Sequence, residues 1–398
     1  MLRFPEGFFW GAATAAHQIE GNNTNSDWWR AEQRGLLPHR SESACNSWQD
    51  WRKDIELLKS MGLNAYRLSV EWARIEPQPG QFDEAALNTY REQLEALKQA
   101  GIEPMVTLHH FTSPAWLADQ GGWTNPDVVD RFTTYTNKVQ QATKDLVRWW
   151  ITINEPSILA FKAYIEGSWP PHQPNNLRGY TRLMRHARRA HARARRILKT
   201  ANPQSMVSMA FALWPLQALR PWSPIDQAMA RLGDWLWQGR IIKRSLPWLD
   251  WIGVNYYSRT FVGWPWPTSN GHVTGPRTDF GWEIYPEGLR HVLNRVGRYG
   301  KPVVVTENGI ADADDDQRAA YIVAHVRQML LAIDDGVDLR GYMHWTLLDN
   351  FEWAEGFEQR FGLATRDRQL RPSAHVYEKI GRANGLPDDV LGTFSVTL

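Results

Sequence analysis

The hydrophobic pattern switches period regularly along the chain. Short, nearly unbroken apolar runs recur at 8–13, 65–70, 103–109, 149–156, 206–212, 251–257, 301–310 and 341–345. A run without polar alternation reads as a strand buried on both faces. Longer stretches with apolar residues three or four apart lie between them. Residues 50–61 put Trp51, Ile55, Leu58 and Met61 at helical spacing before Gly62, and 84–100 stops at Gly101. Further helices are predicted over 127–146, 181–199, from the run GWEIYPEGL at Gly281 onward, and over 317–333 and 374–383. Strands alternating with helices eight times predict an α/β fold, a (β/α)8 barrel. No composition shift marks a linker and no short-period repeat is visible, so 1–398 is expected to be one barrel domain. The Pro- and Gly-rich stretch 264–281 reads as a loop, and 387–398 as a tail.

Polar residues gather where these strands end. KPVVVTENGI carries Glu307 behind three valines, and WWITINEP carries Glu155, 152 residues upstream. Burying an unpaired carboxylate is costly, and the C-terminal end of barrel strands is where barrel chemistry sits. Either Glu alone reads equally well as a salt-bridged structural residue. Two of them at the ends of buried strands suggest the paired carboxylates of glycoside hydrolysis. Arg67, inside the run AYRLSV, needs an anionic partner, either a catalytic carboxylate or a structural acid such as Glu71. His109 and His110 end another strand. They suit a metal poorly, since adjacent strand residues face opposite ways and no Cys or carboxylate stands at ligand spacing.

Composition narrows the picture further. Of 398 residues 43% are hydrophobic, enough for a large core, and a net charge of +2 points to no particular partner. The single cysteine, Cys45, excludes an internal disulfide and fits a reducing compartment. With no signal-peptide pattern in MLRFPEGFFWG, a cytoplasmic location is expected. No apolar run approaches the roughly 18–20 residues that span a bilayer, so no membrane partner is expected. The 22 tryptophans belong mostly to the core, with some as flat faces for sugar rings. The stretch 181–199 is strongly basic, but Leu183, Ala187, Ala190, Ala194, Ile197 and Leu198 form an apolar stripe that leaves its arginines to solvent. Nucleic acid is therefore not expected as a partner. The acidic stretch 311–316 suits a helix N-terminus better than a calcium loop, whose spacing it lacks.

TINEP and VTENG resemble the acid/base and nucleophile motifs of family 1 glycoside hydrolases, the β-glucosidase family. The likeness runs from FPEGFFWGAATAAHQIEG to RFGL. It implies a barrel with catalytic Glu residues at the ends of strands 4 and 7, and a retaining, exo-acting β-glycosidase. A β-glucosidase is expected first, with galactosides and fucosides as further substrates and no metal or organic cofactor. By the same resemblance Glu155 is the acid/base and Glu307 the nucleophile, supported by Arg67 and Tyr257. Gln18, His110, Asn154, Asn255, Tyr257, Trp345, Glu352 and Trp353 fall to the sugar site, and Glu20 to structure. The sequence departs from the family at Phe111, where Trp is commoner, and at Thr112-Ser113-Pro114. The segment 213–250 is shorter than the family norm, which implies a more open aglycone side. A 6-phospho-β-glycosidase is the alternative, disfavoured by the Glu352-Trp353 pair. A sugar-binding barrel without turnover is disfavoured by the presence of both carboxylates.

Overall fold

The structure, a computed structural model, describes residues 2–143, 145–264 and 275–394. Eight parallel strands close into a barrel in sequential order: β1 (Phe9–Ala13), β2 (Ala65–Ser69), β3 (Glu103–Thr107), β4 (Trp149–Asn154), β5 (Met206–Ala212), β6 (Ile252–Asn255), β7 (Val303–Asn308) and β8 (Leu339–Trp345). Closure comes from β8 pairing with β1, Gly341 opposite Phe9 through Trp345 opposite Ala13. The β-branched runs behave as their pattern predicts. Every residue of β4 and of β7 is buried, because both faces of a barrel strand are covered, one by the interior and one by the helices.

The surrounding helices bury one stripe each. In α1 (Ser47–Ser60) the buried apolar residues are Trp51, Ile55 and Leu58. The Asp83 carboxylate accepts from the amides of Ala85 and Ala86 and so caps α2 (Glu84–Gln99). Next come α3 (Val128–Thr143) and α4 (Leu177–Ala201). The basic helix α4 turns Leu183, Ala187, Ala190, Ala194 and Leu198 inward, and Ile197 is half-buried at the stripe's edge. The connection from β5 to β6 is α5 (Pro224–Asp234), a π turn at Trp235–Gly239 and a short helix at Arg240–Ser245. A small parallel pair, Leu216–Ala218 with Thr260–Val262, anchors it. The circuit ends with α6 (Glu287–Gly297), α7 (Arg318–Asp334) and α8 (Pro372–Ala383). Asp312, from the acidic stretch, accepts the Gln317 and Arg318 amides at the start of α7.

One expectation changes. Residues 387–394 are not simply a tail, and 395–398 lie outside the described residues. Gly385–Leu386 pairs antiparallel with Leu2–Arg3, and Asp388–Phe394 is a helix that buries Val390. The apolar side of that helix, too short to register as a period, packs against α7 and the core. Of the predicted loop, 265–274 lies outside the described residues, and 275–281 contains one isolated bridge, Arg277 to Glu283.

The strands bearing the two candidate carboxylates share an irregularity. The β4–β5 ladder shifts register between Ile151 and Asn154. The β7 ladders shift between Val305 and Glu307 on one side and between Val305 and Asn308 on the other. Such irregularities re-aim side chains, and here they fall just before Glu155 and at Glu307.

Candidate active site

A cavity of about 490 Å³ opens at the C-terminal end of the barrel. Its wall includes His110, Glu155, Asn255, Tyr257, Glu307, Trp345, Glu352 and Trp353. Arg67, Asn154 and Gln18 stand directly behind that wall, fully buried. The tertiary structure thus brings all the predicted site residues together.

Arg67 organises the floor. Its Nη1 donates to Glu307 Oε1 at 2.5 Å and to the Thr306 carbonyl at 2.9 Å, and its Nη2 donates to Asn154 Oδ1 at 2.7 Å. Of the two partners expected for it, Glu307 is found rather than Glu71. The second carboxylate oxygen of Glu307 accepts from the Tyr257 hydroxyl at 2.8 Å. Across the cavity, Asn255 Nδ2 donates to Glu155 Oε1 at 2.7 Å and to Asn154 Oδ1 at 3.1 Å. Thr306 donates to Asn255 Oδ1 at 2.6 Å, which fixes the direction of that amide. Asn154 Nδ2 in turn donates to His110 Nε2 at 3.1 Å. One continuous hydrogen-bonded web therefore connects both carboxylates, with the cation of that web, Arg67, on the Glu307 side.

The electrostatics separate the two acids. Burial, then the charge of Glu307, raises the Glu155 pKa to about 8 against the weaker pull of the Asn255 hydrogen bond. Burial raises Glu307 as well, but the Arg67 charge and the Tyr257 and Arg67 hydrogen bonds oppose it. Of the pair, Glu307 loses its proton first and Glu155 keeps one at neutral pH. Glu352 is likewise raised to about 8, by burial and then by Glu307. Burial and the neighbouring carboxylates push the Tyr257 phenol well above its usual range, so it stays a donor. His110 falls well below the usual imidazole range through burial and the Arg67 charge, so its ring is neutral.

Glu155 has φ 41° and ψ 56°, the left-handed region, at the junction of β4 with the helix Pro156–Phe161. Phe111 (φ 72°) and Trp353 (φ 51°) share that region. Such backbone costs about 1–3 kcal/mol per residue and persists where the surroundings over-determine it, typically at functional sites.

Two buried polar atoms here have no partner: Gln18 Oε1 and His110 Nδ1. Gln18 Nε2 is occupied, donating to Asn350 Oδ1, to the Phe351 carbonyl and to Glu352 Oε2 at 2.8–3.3 Å. Orphaned polar atoms beside a carboxylate are what a polyhydroxylated ligand would satisfy. Flat rings close the same end. The His110 ring lies near-parallel to Trp345 at 5.9 Å and to Trp353 at 6.0 Å. Phe111, the departure from the family pattern, packs edge-on against Trp353 at 5.1 Å.

The neighbours excluded from the site are accounted for. His109 turns away to Ser113 Oγ and Trp123 Nε1, both at 3.1 Å. Glu20 is structural, held by Arg74 at 3.0 Å and by the Tyr90 hydroxyl at 2.8 Å. Among the described residues, no group of three or more His, Cys, Asp or Glu is placed to hold a metal ion. Sequence reasoning missed part of the outer wall: Lys162, Trp169, Arg259, Phe280, Trp282, Glu283 and Phe361. Trp282 and Glu283 lie in the GWEIYPEGL run, noticed only as a helix start. Nothing local marks Trp169, which reaches the site through Phe111 and Trp353.

The family profile described as Glycosyl hydrolase family 1 matches residues 1–243 and 240–386. A β-galactosidase of Sulfolobus acidocaldarius is 32% identical, with 98% of this chain and 97% of that protein covered. Beta-glucosidase A of Thermotoga maritima is 31% identical over 97% of this chain and 99% of its own length. A β-glycosidase from Pyrococcus horikoshii superposes with a TM-score of 0.95 at 35% identity, covering 100% of this chain and 99% of that one.

Proposed function

Because the chain belongs to glycosyl hydrolase family 1 and is a β-glycosidase, we propose that it removes terminal non-reducing β-D-glucosyl residues by double displacement, with Glu307 as nucleophile and Glu155 as acid/base. The observation that carries this reading is the asymmetry of the two carboxyls. Glu307 is bound by a buried guanidinium and a phenol, whereas Glu155 has only a neutral amide donor and a pKa raised to about 8. A nucleophile must be ionised and a general acid protonated at the working pH, and these environments sort the two that way.

In the first step a Glu307 oxygen bonds to the anomeric carbon while the glycosidic C–O bond breaks. The Glu155 proton passes to the departing oxygen. In the second, Glu155, now a base, takes a proton from water as that water displaces the Glu307 ester. The sugar leaves with its original anomeric configuration, and Glu155 is protonated again. Glu307 engages one sugar at a time. Its negative charge raises Glu155 before the first step, and esterification removes that charge just when Glu155 must act as a base. Gln18 Oε1, Glu352 and the neutral His110 accept or donate to sugar hydroxyls, with Trp345 and Trp353 as apolar faces. Asn154 does not line the cavity. Its contribution is to hold His110, Arg67 and Asn255 in one arrangement. We place the enzyme in the cytoplasm, where its one cysteine, buried and with a thiol pushed up to about 12, stays reduced.

The test is hydrolysis of 4-nitrophenyl β-glucoside by wild type and Glu307→Gln, side by side, with NMR of the first-formed anomer. The expected result is a β-anomer from the wild type and a loss on the order of 10⁴-fold or more in the variant. An α-anomer, or a variant with near-normal turnover, would overturn the mechanism. Ranking glucoside, galactoside and 6-phosphoglucoside then decides the substrate.

A further inference from the structure

The connection between β5 and β6 has its polarity inside out. Helix α5 buries Asp226, which accepts from Arg220 Nε at 2.7 Å, from Arg220 Nη2 at 2.8 Å and from the Trp264 amide at 3.0 Å. One turn beyond α5, Gln238 is buried and bonds both the amide and the carbonyl of Trp214, at 3.0 and 2.9 Å. The solvent side carries the apolar residues. Ile225, Leu232, Trp235 and Leu236 follow helical spacing, and with Trp222 they are 44–79% exposed. A helix that holds its polar face inward by hydrogen bonds and offers an apolar stripe outward has a partner missing.

The charge around this stripe identifies the partner's chemistry. Between Leu177 and Trp248 the sequence has fourteen Lys and Arg against two Asp, in a chain whose net charge is only +2. Arg193, Arg195 and Arg220 are taken up by Asp130, Asp250 and Asp226. The exposed Arg182, Arg185 and Arg189 of α4, and Arg240, Lys243 and Arg244 beyond the π turn, hold no carboxylate among the described residues. The helix α4 and the segment beyond the π turn meet at Tyr180 and Trp248. Trp237 packs on Tyr180 of α4 at 6.2 Å, the Arg240 charge acts on that same tyrosine, and Arg188 lies over Trp248 at 5.6 Å.

We propose that this face docks peripherally on an anionic lipid surface, with the α5 stripe entering the headgroup boundary and the arginines and lysine binding lipid phosphates. An exposed stripe of Trp, Leu and Ile beside a cationic face is the arrangement of interfacial helices. A second copy of the chain fits less well, because two such basic faces would repel. A nucleic acid would use the arginines and leave the aliphatic stripe unburied. The absence of a spanning segment is unaffected, since the contact is to the surface only.

The test is co-sedimentation with vesicles of phosphatidylcholine alone and of phosphatidylcholine with phosphatidylglycerol in equal parts. Wild type is compared with Leu232→Ser/Trp235→Ser and with Arg240→Gln/Lys243→Gln/Arg244→Gln. The expected result is pelleting with anionic vesicles only. Removing three cations should weaken partitioning on the order of a hundredfold. The apolar variant should lose partitioning at least tenfold, with both variants hydrolysing soluble nitrophenyl glucoside at the wild-type rate. Failure to pellet overturns the proposal. So does pelleting that survives the apolar substitutions. Self-association, or salt-dependent binding of duplex DNA, in place of vesicle binding overturns it in favour of those partners.

Discussion

The floor of the cavity and the outer face of α5 both break the rule of apolar inside and polar outside, in opposite directions. On the floor, a guanidinium, two carboxyls and two asparagines are buried in one web, with a half-buried phenol at its edge. Outside, two tryptophans, two leucines and an isoleucine face solvent. The two violations carry different costs. A buried charge is costly unless its partners are in place, so the floor is stable only as a complete set. An exposed apolar side chain forgoes burial and destabilises little. The floor is therefore rigid and intolerant of single changes, and the outer stripe is tolerant of them. That contrast separates residues that act through geometry from residues that act by meeting a partner.

The sharpest way to break the comparison is Glu155→Ala. For alkyl glucosides, whose leaving oxygen needs a proton, kcat should fall about 10²–10⁴-fold. For nitrophenyl glucoside, whose phenolate leaves unaided, the first step should suffer far less. Equal losses across leaving groups would remove Glu155 from its role. Next in size is Arg67→Met, which strips the cation from Glu307, Thr306 and Asn154 at once. Denaturant unfolding should show a loss of about 3–5 kcal/mol, as when one partner of a buried pair is removed. A loss under about 1 kcal/mol would mean the web is dispensable.

The pH response gives a third handle. Glu155 must be protonated to act as the acid, and its pKa stands at about 8, above its ordinary 4.5. Activity should therefore decline as pH rises through about 8. In Glu307→Gln the repelling charge is gone, so Glu155, followed by carboxyl NMR, should titrate at lower pH than in the wild type. An unchanged or higher value would show that the two carboxyls do not sense each other. Stability follows the same sign. Between about 4.5 and 8 the unfolded chain ionises this group while the folded one resists, so stability falls with rising pH across that window. The smallest effect is expected outside. Leu232→Ser/Trp235→Ser should leave unfolding free energy within about 0.5 kcal/mol of wild type. A loss above about 2 kcal/mol would place the stripe in the core and end the contrast.

The barrel and the two strand-end carboxylates were legible because local pattern and barrel physics agree. KPVVVTENGI and WWITINEP are buried strands whose only plausible exposure is at their ends, and each ends in Glu. The helix at Asp388–Phe394 was not legible, because seven residues are too few to display a period. The outer wall from Trp169 to Phe361 was not legible either, since those rings come from separate loops and meet only by contact across the cavity mouth. The sign of the stripe on α5 was hidden for another reason. A sequence shows that a helix has an apolar side but not which way that side points.

Alone, then, the sequence determined the alternation of strands and helices, the motifs that mark the family, and which side chains stand at strand ends. Those properties depend on neighbours a few residues away. Only the tertiary structure decided that Arg67 reaches Thr306 and Asn154 as well as the Glu307 that the family likeness gave it, that Asn154 stands behind the wall instead of in it, and that, among the described residues, Glu155 forms no ion pair. Each is a matter of distance between residues far apart in the chain, and the electrostatics that divide the two carboxyls fall off with that distance.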